Sequence, residues 1–196
     1  MANVYCAGPL FNDPERLEMA ELAAVLEANG HKTFLPQRDG LEFADILPAL
    51  SACGLGSEEA ENVIRRAIFS LDTYKVLHWA DVVVANLNGR VPDEGTVVEA
   101  TLAWVAGKAL VLFKNDARTL LNGADNPMVL GLGDFKTIRL VSQMPGAVLQ
   151  ALEESRQSRK DGIYALGSAI EKAKVGAMNT ADTAALLMSL VKAQSK

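Results

Sequence analysis

Short apolar runs that alternate with helical stretches constrain the fold of this chain more than any other feature of its sequence. Four runs of apolar character, typical of buried strands, cover Val4–Ala7, Lys32–Leu35, Val82–Ala85 and Ala109–Phe113. A fifth, weaker run covers Thr137–Leu140. Because helical patterns separate most of these runs, the alternation predicts an α/β fold with a doubly wound parallel sheet of five strands.

The last part of the chain has a different composition. From Asp161 to Lys196 it is rich in alanine, and two helical patterns are separated near Gly176 and Asn179. We therefore predict an α/β domain over residues 1–160 and a helical C-terminal extension over residues 161–196. The extension carries no identifiable chemistry and is expected to pack on the domain or on a partner subunit.

Composition argues against several classes of function. Of the 196 residues, 24 are acidic and 19 are Lys or Arg, and the net charge of −5 argues against a nucleic-acid-binding surface. Cys6 and Cys53 lack metal-ligand spacing and are typical of reduced thiols inside a cell. Neither a secretory leader, an apolar run of about 18 residues nor a glycine-rich nucleotide motif occurs. We expect a cytoplasmic protein with no metal, cofactor or membrane partner.

The segment from Asp81 to Lys108 contains the densest set of candidate functional residues. A predicted buried strand leads into a loop with Asp93, and a helix follows with Glu99 near its first turn. In doubly wound sheets, ligands bind beyond the carboxyl ends of the strands. The loops Gly8–Asn12, Pro36–Gly40 and Asn86–Glu99 should therefore converge on one pocket.

Glu99 has two interpretations that its spacing does not separate. Thr96 stands three residues before it, and T-x-x-E is the pattern of a capping box, in which the glutamate accepts a hydrogen bond from the N–H of the cap residue. Alternatively, Glu99 acts chemically beside Asp93 and Asp72. Carboxyl groups with different protonation states suit substitution at an anomeric carbon, because one attacks while another protonates the leaving group.

Five pieces of the chain, in order and at matching intervals, resemble the nucleoside 2-deoxyribosyltransferase family across about residues 3–140. They are VYCAGPLFN, GHKTFLPQRDG, SLDTYKVLHWADVVVANLNG, PDEGTVVEA with AGKALVLF, and DNPM. The resemblance implies a flavodoxin-like, cofactor-free enzyme of nucleotide salvage. It would exchange the base of a 2′-deoxyribonucleoside through a covalent deoxyribosyl-enzyme ester, with retention of configuration.

The resemblance also assigns roles by motif position. Glu99 would be the nucleophile, Tyr5 would position it, and Asp93 would give a proton to the base and take it back. Asp72 would hydrogen-bond the base or its loop. The catalytic centre that the resemblance implies is thus formed by Glu99, Asp93 and Tyr5, whereas Asp72 belongs to the substrate-binding residues.

Further residues are implied for substrate binding. Phe11 would line or stack on the base, with Gly8 in the same loop and Gln37 and Arg38 beside it. Asn126 and Met128, in DNPM, correspond to a segment that reaches into a neighbouring subunit's site. The resemblance therefore implies a homo-oligomer, at least a dimer, with shared active sites.

Two departures from the family leave alternatives open. Ala100-Thr101 follows Glu99 where family members often have Leu-Gly, and neither loop 41–56 nor the tail aligns. A related 2′-deoxynucleoside 5′-monophosphate N-glycosidase, with water as acceptor, is the nearest rival to the transferase. Thr96 alone stands where that family has a serine for the phosphate. A third hypothesis is a non-catalytic nucleotide-sensing module on the same fold.

Overall fold

The computed structural model describes residues 1–89, 91–116, 125–154, 156–173, 182–185 and 188, although not the side chains of 156–159. The chain divides into two compact units, Met1–Glu154 and Ser155–Lys196, which are described separately. No helix among these residues is long and apolar enough to span a membrane.

A four-stranded parallel sheet forms the centre of the first unit. Its strands are β1 (Asn3–Ala7), β2 (Lys32–Phe34), β3 (Val82–Asn86) and β4 (Ala109–Phe113), in the order β2-β1-β3-β4. All three pairings are parallel, and β1 lies between β2 and β3. This order with helices on both faces is that of the flavodoxin-like fold, which confirms the predicted class.

The helices of the first unit connect these strands and continue beyond them. They are α1 (Asp13–Ala28), α2 (Pro36–Asp39), α3 (Phe43–Ala52), α4 (Ser57–Tyr74), a π-helical turn (Lys75–Trp79), α5 (Glu94–Val105), α6 (Pro127–Leu130) and α7 (Met144–Glu153), with 3₁₀ turns at Gly131–Gly133 and Val141–Gln143. The stretch 41–56, treated as a loop in the sequence analysis, contains α3 with Pro48 inside it.

Strand alternation divides the core between the two faces of the sheet. On β1, Val4 and Cys6 pack in one cluster with α1 and α7, whereas Tyr5 and Ala7 pack in the other with α5 and the π-helical turn. All four side chains are fully buried. Since successive strand residues point to opposite faces, this division places the Tyr5 side chain on the α4–α5 side of the sheet.

The prediction of a fifth strand over Thr137–Leu140 is wrong, because this segment makes only a single bridge to the sheet. Segment 137–140 makes one isolated parallel bridge, between Phe113 and Ile138, with hydrogen bonds from Ile138 N to Leu112 O at 2.8 Å and from Lys114 N to Ile138 O at 2.9 Å. Phe135, just before it, adopts a positive φ of 58°, and a 3₁₀ turn begins just after it at Val141. These flanking turns leave too few extended residues for a longer ladder.

The second unit contains α8 (Arg156–Ala173), which begins before the predicted start of the extension at Asp161. Residues 182–185 are also helical. Most of the second helical pattern predicted for the tail lies outside the described residues.

Candidate active site

The N-terminus of α5 carries two of the predicted site residues. Asp93 is the N-cap: its Oδ2 accepts hydrogen bonds from Thr96 N at 2.7 Å and from Thr96 Oγ1 at 2.8 Å. Thr96 is thus inside the helix and is not its cap, so the T-x-x-E capping box does not form. Glu99 is released from that role and lies one turn further along.

Glu99 accepts a hydrogen bond from the buried Tyr5 hydroxyl, with 2.6 Å between Tyr5 Oη and Glu99 Oε1. Tyr5 is held in β1, and its ring stacks on Phe34 with 5.5 Å between ring centroids. The hydroxyl therefore approaches Glu99 from a rigid part of the fold. A short O–H···O bond of this kind fixes the orientation of a carboxyl group.

The electrostatics of this cluster are unusual because its acidic groups lie close together. Burial raises the pKa of Glu99 to about 8, the Tyr5 hydrogen bond acts against that rise, and the charges of Asp72 and Asp93 add to it. Burial raises the pKa of Asp72 to about 6, again opposed by Tyr5. Burial, followed by the charges of Glu99 and Asp72, raises the pKa of Tyr5 far above its usual value, so the phenol stays a hydrogen-bond donor.

Two adjoining cavities open onto this cluster and share Asp72 and Glu99. One, of about 470 Å³, has mixed polar and apolar walls and is called the polar cavity, and the other, of about 350 Å³, is mainly apolar and is called the apolar cavity. Glu99 is only partly accessible to solvent because protein crowds it on most sides. A ligand spanning the two cavities would therefore pass directly over the Glu99 carboxyl group.

Most of the side chains predicted from the sequence line the polar cavity. It is bordered by Gly8, Phe11, Gln37, Asp72, Asp93 and Glu99. A Cβ at Gly8 would overlap the sulfur of Met19, so a larger residue there would have to displace the Met19 side chain. Gln37 Nε2 donates to Arg16 O at 2.7 Å, while its buried Oε1 has no partner in the described part of the chain. The three loops predicted to converge do so.

Besides the buried Tyr5, three predicted residues do not line either cavity. Arg38 pairs with Glu27 at 2.8 Å and with Asp39 at 2.9 Å, which directs its guanidinium away from the site. Asn126 is exposed and caps α6, accepting a hydrogen bond from Met128 N at 2.9 Å, and Met128 is 81% exposed. The last two positions fit an outward-facing segment.

Sequence reasoning missed several residues that line the cavities. Arg16 lies on α1 beside the loop that carries Phe11, and Arg65 lies seven residues before Asp72 on α4. Seven residues is about two helical turns, so the shared face of Arg65 and Asp72 could have been read from their spacing. Phe43, which contributes to both cavities, lies in a stretch without a clear pattern.

Among the residues that the structure describes, no group of three or more His, Cys, Asp or Glu side chains could hold a metal ion. The carboxyl groups of the site instead surround a buried phenol. Such an arrangement can hold one carboxylate ready for attack and another carboxyl group protonated, which is the requirement for substitution at an acetal-like carbon.

The fold and site together define a class of α/β proteins with a cluster of carboxyl groups at the carboxyl edge of a parallel sheet. The sequence matches the nucleoside 2-deoxyribosyltransferase family over residues 4–147, and the chain belongs to that family. Membership supports an activity at the N-glycosidic bond of nucleosides. The comparison with curated proteins returned no match.

Solved structures are similar in fold at low identity. A conserved protein from Enterococcus faecalis V583 aligns with a TM-score of 0.59 and 20% identity, over 76% of this chain and 98% of that one. A 2-deoxyribosyltransferase from Bacillus psychrosaccharolyticus aligns with a TM-score of 0.43 and 23% identity, over 66% of this chain and 81% of that one. A CMP N-glycosidase from Clostridium botulinum aligns with a TM-score of 0.44 and 16% identity, over 76% of this chain and 98% of that one.

Proposed function

We propose that this protein exchanges the base of 2′-deoxyribonucleosides through a covalent deoxyribosyl ester on Glu99. The observation that carries the proposal is the 2.6 Å hydrogen bond from Tyr5 to Glu99, at the junction of two cavities lined by further carboxyl groups. The second oxygen of Glu99 is then free to meet C1′ of a bound nucleoside.

In the first half-reaction, a Glu99 oxygen forms a bond to C1′ as the C1′–N bond breaks. The bonding electrons leave with the base, which takes a proton from Asp93. Asp72 hydrogen-bonds the departing base, and its raised pKa makes it a second group able to hold a proton near neutral pH. Tyr5 stabilises the ionised form of Glu99 that the attack requires.

In the second half-reaction, a different base attacks C1′ from the face that the first base left. The ester bond breaks, Glu99 recovers its carboxylate, and the proton of the incoming base passes to Asp93. Two inversions at C1′ give overall retention of configuration. No net proton or electron is exchanged with the medium.

The apolar cavity would take part through a second subunit. It is lined on its outer side by Phe69 and Val98, which are 67% and 53% exposed. We propose that Asn126 and Met128 of a neighbouring subunit enter this region and hold the sugar. Their exposure in one chain supports such a contact.

The test is a chromatographic assay with deoxyinosine as donor and adenine as acceptor. The proposal predicts deoxyadenosine only when both are present, and no product with Glu99→Ala. Release of free base without exchange product would contradict the transferase. Absence of any reaction across a wider set of purine and pyrimidine donors would instead favour a nucleotide-sensing module.

A second candidate, hydrolysis of 2′-deoxynucleoside 5′-monophosphates, is favoured by one observation. Arg65 lines the apolar cavity with its guanidinium 5.4 Å from the centre of the Phe43 ring, and its ion pair with Glu61 is long, at 3.5 Å. A guanidinium at this place could bind a 5′-phosphate. Deoxyribose 5-phosphate formed from monophosphates, with no exchange between free nucleosides, would establish this alternative.

A further inference from the structure

The most deeply buried ion pair in the described part of the chain joins Lys114 to Asp125. The Lys114 side chain, directly after β4, is 6% exposed and that of Asp125 is 3% exposed, with 3.4 Å between Nζ and Oδ1. Nζ also donates hydrogen bonds to Leu87 O at 2.8 Å and to Gly89 O at 3.0 Å. The contact with Asp125 is an ion pair and not a hydrogen bond, since Asp125 Oδ1 is buried without a hydrogen-bond partner in the described part of the chain.

The chain that Lys114 contacts, just beyond β3, is itself fixed by several hydrogen bonds. Asn88 Oδ1 accepts hydrogen bonds from Asn115 N at 3.0 Å and Asp116 N at 3.1 Å, and Asn88 Nδ2 donates to Glu18 at 2.8 Å. Gly89 has a φ of 118°, a conformation that favours glycine. Lys114 therefore has a rigid anchor on the sheet edge.

Asp125, on the other side of the pair, directly precedes the segment Asn126–Met128. Asn126 Oδ1 in turn caps the short helix α6, so the position of Asp125 sets the start of this segment. A buried ion pair is a weak source of stability, because apolar side chains of similar size often serve as well. Its geometric specificity is the more useful property at this place.

We propose that Lys114 and Asp125 are a positioning pair, which fixes the point from which Asn126 and Met128 project by tying Asp125 to the carboxyl edge of the sheet. The inference rests on the proposed function, since it assigns the pair to the segment that would hold the sugar of the substrate. Neither residue touches the substrate. Their effect on the reaction passes through Asn126.

A double-mutant cycle on kcat/KM for base exchange tests this inference. Lys114→Met with Asp125→Leu removes both charges at once, so the melting temperature should fall less than with Lys114→Met alone, because only the carbonyl oxygens of Leu87 and Gly89 then lose a partner. We expect kcat/KM to fall by about 10- to 100-fold, through a higher KM for the donor nucleoside. Asp125→Asn keeps the shape of the side chain, and its kcat/KM should also be lower than that of the wild type, by a smaller factor.

The decisive comparison is made in the Asn126→Ala background. If the pair acts through Asn126, replacing Lys114 and Asp125 in this background should leave kcat/KM equal to that of Asn126→Ala alone, because the effects of coupled residues are not additive. Losses that multiply would overturn the inference, and so would full activity of the stable Lys114/Asp125 double variant. An Asn126→Ala protein as active as the wild type would overturn it too, while base exchange itself would still stand.

Discussion

Two clusters of buried charge in the first unit are built in opposite ways. Lys114 and Asp125 carry opposite charges, and the ammonium also has two carbonyl oxygens as partners. Asp72 and Glu99 carry like charges, and the group between them is the neutral Tyr5 hydroxyl. The first cluster pairs opposite charges within the fold, whereas the second brings like charges together.

The difference indicates which cluster is kept for chemistry. Raised pKa values mean that ionising Asp72 and Glu99 works against the folded state. A fold gains nothing from such groups, and perturbed carboxyl groups in a cavity are typical of catalytic sites. The Lys114–Asp125 pair lines neither of the two cavities of the site and serves geometry.

The largest expected effect comes from Glu99→Gln, which removes the proposed nucleophile but keeps the shape of the side chain. Base exchange should fall by about 10³-fold or more, because the covalent step is lost. Steady-state assays and single-turnover assays would measure the loss. Glu21→Gln, at an exposed position on α1, is the matched control and should keep wild-type activity. Residual turnover within about tenfold of wild type would contradict the assignment.

The same variant should change how stability depends on pH. The folded pKa of Glu99, about 8, is above its ordinary value of 4.5, so the folded state binds more protons between these pH values. The stability that the protonated Glu99 contributes should therefore be fully present below pH 4.5 and be lost as the pH rises through about 8. Thermal melts should show a smaller loss over this window for Glu99→Gln, and Glu21→Gln should follow the wild type.

Loss of one partner should destabilise the Lys114–Asp125 cluster, whereas loss of the Glu99 charge should relieve the other cluster. Lys114→Met leaves the buried Asp125 carboxylate without its cation, and unfolding in denaturant should show a loss of about 3–5 kcal/mol. Replacing both residues should recover most of this loss. A single variant within about 1 kcal/mol of the wild type would show that Asp125 finds another partner, which would remove the contrast between the clusters.

Asp93→Asn separates capping from chemistry at the N-terminus of α5. Asparagine caps helices about as well as aspartate, so stability should change by less than about 0.5 kcal/mol. Turnover should fall by about 100-fold, because the amide cannot give a proton to the leaving base. Equal activity of the wild type and the Asp93→Asn variant at all pH values would assign the proton to Asp72 instead.

The smallest effect is expected from Tyr5→Phe, which keeps the stacking on Phe34. Because the Tyr5 hydrogen bond lowers the pKa of Glu99, its loss should move the acid limb of kcat/KM to higher pH. In the wild type, this limb should rise between about pH 6 and 8 as the Asp72–Glu99 pair ionises. We expect about tenfold lower activity at neutral pH and a smaller difference at alkaline pH. An unshifted limb would contradict the role of Tyr5.

Local pattern predicted the four strands of the sheet and the loops that border the cavity, whereas Tyr5, Phe11 and Gln37 were supplied by the resemblance to the family. Val82–Ala85 is a short apolar run rich in β-branched residues, so its pattern favours a buried strand. The loops that follow parallel strands meet at the carboxyl edge of the sheet. At the start of α5, local pattern does not separate a capping box of Thr96 and Glu99 from a chemical role for Glu99. Only the fold shows that Asp93 caps the helix and that Tyr5, distant in sequence, binds Glu99.

Other features depend on packing that no short pattern contains. Arg38 lies beside Gln37 in sequence, but Glu27 on α1 draws it away from the cavity. Thr137–Leu140 reads as a strand, but the turns on either side restrict it to one bridge. Lys114 and Asp125 are eleven positions apart, and their pairing depends on how the chain returns to the sheet edge.

The most direct test of the central claim is to trap the intermediate. Enzyme mixed with deoxyinosine in the absence of an acceptor base would be quenched in acid, digested and examined by mass spectrometry. The account predicts one deoxyribosyl unit on the peptide that contains Glu99, lost on addition of adenine as deoxyadenosine forms at a matching rate. Rapid formation of deoxyadenosine without any such adduct, or an adduct on another residue, would contradict it.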